Sequence, residues 1–394
     1  MQNTSTNNRL IILIIVLSLF PLSGMTIDLF APSLPAISTA LQISGSVTKL
    51  IISLYVLGYA FGNCITGLLT DALGRKSLLR ISCLLFIIAS FAPIIFPNET
   101  VLLTARFFQG LFMGGIAVLC RTILSDILPP NKLVKLGPTV GFLWGLGPVI
   151  GPILGGYLQY YFNWKAGFYF FGIITTILFV AICIYIPETI EKKSKLRFSK
   201  IKNDIKEVLS NSEFMSLVVV MGCAYALIIT FNTLGPFLIQ DKMHYSPLFF
   251  GKLGIFLGLA FIPAPIICRY LLNYLSVGRL FSLVIHWFLA AISILLMISI
   301  FFDMSLIIIL LASVAIYFVC GAVFPLSLGK GLSMFKHISG TAAAVMYLIN
   351  MLIASLVAFS ESFISTYNVT TIISVYVSLM LVMVALYRFK LHKL

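Results

Sequence analysis

Few residues in this chain can do chemistry, and four of them sit inside apolar runs: Asp28, Arg106, Arg121 and Glu361. A charge at mid-bilayer costs about 2.5 to 3.5 kcal/mol on insertion scales, so each is read first as functional. Asp28 and Arg106 are expected roughly 9 to 12 Å below the same surface, at a rise of about 1.5 Å per residue. There they can meet, or share a water-filled cavity, if their helices are neighbours. A carboxylate that faces the two sides of a membrane in turn can load a proton on one and release it on the other, because desolvation and a nearby guanidinium act oppositely on its charged form.

Arg106, Gln109, Met113 and Gly114 follow an i, i+3, i+7, i+8 spacing and so share one helical face. Arg121 lies on the same broad face about 22 Å further along. With Asp126 close by, it reads as a snorkelling or gating pair. Glu361 falls near the end of its run, where surface exposure accounts for it simply and a second protonatable site is the other reading. His286 reads as a hydrogen-bonded helix contact.

A second group has the make-up of a hinge. The turn carrying Gly67, Asp71, Gly74, Arg75 and Lys76 puts an acid at a helix end beside fixed cations in a tight loop. Asp71 can hold a helix amino terminus and Arg75, contacts expected to be favourable only while the molecule is closed on that side. A weaker copy ends at Gly278 and Arg279, with Leu275 where the acid would stand, which is a remnant of internal repetition. Gly147, Gly151 and Gly155, with Gly156 beside them, place small residues at four-residue spacing, and Pro148 and Pro152 remove backbone hydrogen bonds from the same helix. A bendable, closely packed seam follows. Gly58 with Gly62, and Gly110 with Gly114, repeat the spacing.

Membrane-spanning helices must position these residues. Apolar side chains make up 60% of the 394 residues and charged ones 10%, too few to clothe a water-facing surface. Windows of roughly 20 apolar residues fall near 10–36, 47–69, 78–97, 101–126, 136–160, 166–187, 214–240, 248–272, 280–302, 304–328, 339–365 and 370–388. An all-α membrane protein of twelve spans in two six-helix, pseudo-symmetric halves is expected: residues 1–190, a polar linker over 191–213, and 214–394.

The formal charge of +14 raises nucleic acid as a partner, but the positions of the cations argue against it. Arg9, Arg75, Lys76, Arg80, Lys132, Lys135, the cluster from Lys192 to Lys206, Arg269, Arg279, Lys330, Lys336, Arg388, Lys390 and Lys393 fall on one side; Lys49, Lys165, Lys242 and Lys252 fall on the other. That asymmetry predicts both termini in the cytoplasm. The seven cysteines lie singly in or beside apolar runs, with no metal-binding or disulfide spacing. No phosphate-binding loop or recognisable nucleophile constellation is present, which argues against an enzyme and against ATP as the direct energy source.

These motifs resemble the major facilitator superfamily, and within it the twelve-span drug:proton antiporters of the bicyclomycin-resistance branch. Gly67, Asp71, Gly74, Arg75 and Lys76 match its motif A, with Ala72 where the family usually has a basic residue. The stretch from Leu102 to Gly110, with Arg106 and Gln109, resembles motif B, whose arginine is implicated in proton transfer. The run Gly147, Gly151, Pro152, Gly155 and Gly156 matches motif C, the antiporter signature. Asp28 to Pro35, Pro187 to Thr189, Arg121 with Asp126, and Gly235 to Phe237 fit the branch; Asn63 stands where it often has glutamine.

The resemblance implies a cavity lined by spans 1, 4, 7 and 10, with Asp28, Arg106, Met113, Tyr225, Phe231, Asn232 and Tyr317 as candidate substrate ligands. Asp28, Arg106 and Glu361 are the candidates for proton coupling. It further implies a bacterial inner-membrane monomer, powered by a proton gradient without cofactor or metal, that exports drugs or other amphipathic molecules. A dedicated exporter of one siderophore, sugar or peptide is the alternative in the same fold, and a non-transporting membrane sensor the alternative in another class.

Overall fold

The structure, a computed structural model, describes residues 6–190, 198–302, 304–365 and 368–391. Lys192, Lys193, Lys195 and Lys393, together with the start of the expected linker, lie outside the described residues. Among the described residues, twelve helices are long and apolar enough to cross a membrane. In chain order they are α1 (Arg9–Leu41), α2 (Gly45–Leu73), α3 (Arg75–Ile95), α4 (Glu99–Ile127), α5 (Thr139–Tyr161), α6 (Ala166–Tyr185), α7 (Ser212–Lys242), α8 (Pro247–Leu271), α9 (Val277–Ser299), α10 (Leu306–Met334), α11 (Lys336–Ser362) and α12 (Val369–Leu391). An even number of crossings brings the start of α1 and the end of α12 to one face, called here the terminal face; the opposite one is the far face.

Polar residues start several of these helices. Ser44, Asn98, Asn211, Ser246, Ser276, Ser305 and Asn368 each accept a hydrogen bond from the backbone N–H three residues on, which satisfies a donor that would otherwise be orphaned. Proline interrupts the first span. The first helix of α1 ends at Asp28, gives way to a 3-10 turn over Ala31–Ser33, and resumes as Leu34–Leu41. Pro32 and Pro35 lack the amide protons that a continuous helix needs. Span 1 therefore runs five residues past the expected 36 and places its break next to Asp28.

Glycine sets the close approaches. A Cβ on Gly58 or Gly62 would overlap the carbonyls of Phe107 and Leu111, and one on Gly110 or Gly114 those of Tyr55 and Tyr59, so α2 and α4 touch backbone to backbone. On α5, Gly147 lies against Gly24, Gly151 against Asp28 and Gly155 against Leu29, a row that seats α5 along α1 through the break. Gly156 continues the row onto Gly251 of α8, in the other half. The halves meet along α2 with α11 and along α5 with α8. Between them, the helix Phe198–Ser210 docks on the second half, with Val208 buried beside Phe214 and Phe335.

Candidate functional site

Asp28 is 2% exposed, and its Oδ1 accepts a hydrogen bond of 2.5 Å from Asn232 Nδ2 of α7. The carboxylate of one half is thus bonded to an amide of the other. Arg106 does not join it. The guanidinium donates to the carbonyls of Ile51 and Thr26, each at 3.3 Å, and to Gln109 Oε1 at 3.0 Å. It lies between the rings of Phe30 and Tyr55, 4.4 Å from each centroid, and Gln109 passes the chain on to Ser90 at 2.9 Å. A planar donor used in this way pins α1, α2 and α4 together. Arg106 reaches α1 at the Thr26 carbonyl, two residues before Asp28, yet Asp28 turns to α7 and Arg106 to backbone carbonyls.

Glu361 corrects its simple reading. It is 1% exposed, not at the surface, and accepts a hydrogen bond from the Thr230 hydroxyl of α7. Thr230 and Asn232 are two residues apart, about 200° around a helix, so α7 meets Glu361 on one side and Asp28 on nearly the opposite one. Lys49, counted by charge on the far side, is 3% exposed there; its ammonium donates to the Ile364 carbonyl at 2.6 Å and lies within electrostatic reach of Glu361. An end-of-span lysine gave no sequence signal of this.

The residues expected to line a cavity are buried. Phe231 stacks on Phe250 with centroids 5.4 Å apart and meets the Tyr317 ring edge-on at 6.3 Å. The Tyr317 hydroxyl is adjacent to Asn232, and neither it nor Asn232 Oδ1 reaches hydrogen-bonding geometry. Asp28, Asn232, Phe231 and Tyr317 therefore form one group, with polar capacity left over. Tyr225 belongs to another, packing on Trp144 and Phe324 nearer the terminal face. Met113 is fully buried on α4.

The Major Facilitator Superfamily pattern matches residues 16–359. The chain belongs to that superfamily. It is 27% identical to an uncharacterized transporter of Rickettsia bellii, over 88% of each chain. It is 25% identical to the chloramphenicol resistance protein CraA of Acinetobacter baumannii, over 71% of this chain and 68% of that protein. A bicyclomycin resistance protein homolog of Haemophilus influenzae is also 25% identical, over 56% of this chain and 55% of its own length. Among solved structures, a D-xylose–proton symporter superposes with a TM-score of 0.76 over 97% of both chains at 15% identity, a likeness of fold.

In this superfamily transporter the expected pairing of Asp71 with Arg75 is present and belongs to a wider network. Arg75 bonds Asp71 at 2.8 Å, Asp126 at 3.1 Å and the Thr70 carbonyl at 3.1 Å; its backbone N–H donates to Glu188 Oε1 at 2.9 Å. Thr189 also donates to Asp126, at 2.7 Å. Gly74 is held at φ +100°, where a Cβ would strike the Glu188 carboxylate, so glycine is required in that turn. The network ties the α2–α3 turn, the end of α4 and the segment after α6 to one another, all within the first half. The described contacts of Arg75 and Asp71 thus make it a brace inside one half, not a latch between two. Lys76 is half-buried beside it, and Gly67 packs on Val118.

Arg121 and Asp126 do not pair. Asp126 is taken by Arg75 and Thr189, whereas Arg121 donates to Asn63 Oδ1 at 2.8 Å and lies 4.8 Å over the Tyr347 ring of α11. His286, expected at a helix contact, bonds the Ser282 carbonyl of its own helix at 2.8 Å and meets the Tyr387 ring of α12 edge-on at 5.9 Å.

Proposed function

We propose that this transporter exports amphipathic small molecules, drugs among them, in exchange for protons, and that Asp28 is the carboxylate through which the exchange is coupled. One observation carries the reading: Asp28 of the first half is buried against Asn232 of the second. Parting the halves must break that bond and hydrate the carboxylate, which changes how readily it holds a proton. Alternation between the two states then exposes the same group to the two sides in turn.

The excess of cations on the terminal face supports a cytoplasmic location for both termini and insertion in a bacterial inner membrane. The far face is then outside, and hydrogen bonds across the halves, Asp28–Asn232, Gln240 to the Pro32 carbonyl, Lys49 to Ile364 and Ser355 to the Ser53 carbonyl, run from mid-span to that side. Aromatic contacts of Trp144 serve the cytoplasmic side. This conformer therefore corresponds to a state closed to the outside. Phe231, Tyr225 and Tyr317 give a wall that suits varied apolar shapes, while Asn232 and Tyr317 offer hydrogen bonds. The transporter acts as a monomer, with the proton gradient as its only energy source. The names of two relatives point toward drug resistance.

The test is purified protein in liposomes under an imposed pH gradient, with chloramphenicol and a panel of amphipathic antibiotics as solutes. Uphill movement in the native protein and none in Asp28→Asn is the expected result. Movement of one compound alone would point to a dedicated exporter, and undiminished uphill transport by Asp28→Asn would remove Asp28 from the coupling.

A further inference from the structure

Arg121 has no part in the reading above, and the acid expected beside it, Asp126, is held by Arg75 and Thr189. Its guanidinium is nonetheless engaged from two directions. Asn63 of α2, 7% exposed, accepts its hydrogen bond through Oδ1 at 2.8 Å, within the first half. The second half supplies the Tyr347 ring of α11, whose centroid lies 4.8 Å from Arg121 Cζ. A cation over an aromatic face is attracted by the ring's quadrupole, and the attraction strengthens as water leaves. Arg106 on the same helix lies between Phe30 and Tyr55, both of its own half, so it pins one half where Arg121 bridges two. Behind the bridge, polar capacity is left over. Asn63 Nδ2 is buried without a hydrogen-bond partner, and so are both amide atoms of Asn350, the next turn of α11 inward from Tyr347. At about 100° per residue, Asn350 points some 60° to one side of Tyr347 and some 60° to the other side of Ile353, which packs on Gly222 of α7. It therefore faces the cleft between α7 and the first half. A buried amide that bonds nothing is costly, and water entering from the terminal side would satisfy it.

We infer that Arg121 is a positioning residue of the transport cycle: held to α2 by Asn63, it stacks on Tyr347 of α11 to draw the halves together on the terminal side, and it gives up that ring when the terminal face opens and water reaches Asn63 and Asn350. Two opposed contributions meet at this gate. The cation–ring contact favours the closed side, and the unsatisfied amides favour the open one, so the side is shut without being locked. A second bridge flanks it, with Trp144 of α5 set 6.0 Å from the Tyr225 ring and 6.3 Å from the Phe324 ring of the other half. The brace around Arg75 holds the first half rigid; the contact at Arg121 joins that half to the second.

The gate rests on the alternating-access reading but neither on the identity of the solute nor on Asp28, and its test needs no transport. Hydrogen–deuterium exchange of the full-length protein in lipid nanodiscs is compared for the native chain, Tyr347→Phe, Tyr347→Leu, Arg121→Met, the double variant Tyr347→Leu with Arg121→Met, and Asn350→Leu. Tyr347→Leu should speed exchange in residues 118–128 and 339–348 by about threefold to tenfold, the worth of a partly desolvated cation–ring contact. It should slow exchange in residues 29–41 and 237–250 on the far side, because the halves rock as bodies. Tyr347→Phe keeps the ring and should stay near native. Arg121→Met should match Tyr347→Leu, and the double variant should add little to either, since both remove one contact. Asn350→Leu should act in the opposite sense and slow exchange on the terminal side, because the closed state no longer buries an unsatisfied amide there. A native profile in Tyr347→Leu would overturn the gate, as would faster exchange on both faces, which marks a merely loosened fold. Full additivity in the double variant, or faster terminal exchange in Asn350→Leu, would overturn it as well. Should Arg121→Met fail to insert, the contrast between Tyr347→Phe and Tyr347→Leu decides the matter.

Discussion

Asp28 and Glu361 are both buried carboxyl groups hydrogen-bonded to α7, one on each side of it, yet their surroundings differ in kind. Asp28 follows a regular helix and precedes a proline-made break, with an amide, a phenol and a glycine against it. Its neighbour Arg106 spends its donors elsewhere, so hydration is what changes for Asp28 when the halves part. Glu361 stands at the end of a helix, takes a hydroxyl from Thr230 and has the Lys49 ammonium of the other half within electrostatic reach. The same chemical group, buried to the same degree, faces an amide in one place and a hydroxyl with an ammonium nearby in the other.

The sharpest way to break this comparison is to neutralise each acid in turn. Asp28→Asn should abolish gradient-driven accumulation in liposomes. Glu361→Gln should keep an uphill gradient while changing the rate at which it is reached. Equal loss in both would erase the distinction. Next in size is Arg106→Lys. A single ammonium cannot reproduce a planar fork bonded to two carbonyls and Gln109 between two rings, so the initial rate should fall about tenfold, or roughly 1.4 kcal/mol. Native rates in the Arg106→Lys variant would show that charge alone suffices there.

The seam beside Asp28 can be strained by Gly155→Val, whose Cβ would overlap the Leu29 carbonyl. Overpacking of this kind costs about 1 to 3 kcal/mol, read as a lower melting temperature in detergent, with transport slowed in proportion. The smallest effect is expected for Trp144→Ala on the terminal side. Loss of its ring contacts with Tyr225 and Phe324 should cost about 0.5 to 1.5 kcal/mol beyond lost area and bias exchange toward a looser terminal side without uncoupling transport.

Much of the fold was legible because lipid leaves little choice: continuous apolar runs must be helices, and the glycines that touch across α2 and α4 announce themselves by spacing. Asp28 and Arg106 were legible as costs. Their partners were not, since a bond such as Asp28–Asn232 depends on helix rotation and on which span of the other half stands opposite. Arg121 shows the same limit. Asp126 was its nearest acid along the chain, but the folded first half gives that acid to Arg75 and leaves Arg121 to Asn63 and Tyr347. The burial of Lys49 and Glu361 was not legible for one reason: at the ends of spans, sequence does not distinguish a side chain in water from one covered by the other half.

The central claim, that a proton on Asp28 is exchanged for the solute, is tested most directly by counting protons. Liposomes with an entrapped pH indicator receive a chloramphenicol gradient and no initial pH difference. The native transporter should move protons against the direction of solute flow, and Asp28→Asn should move none while still binding the compound. Solute flow without proton movement in the native protein, or unchanged proton movement in Asp28→Asn, would contradict the account.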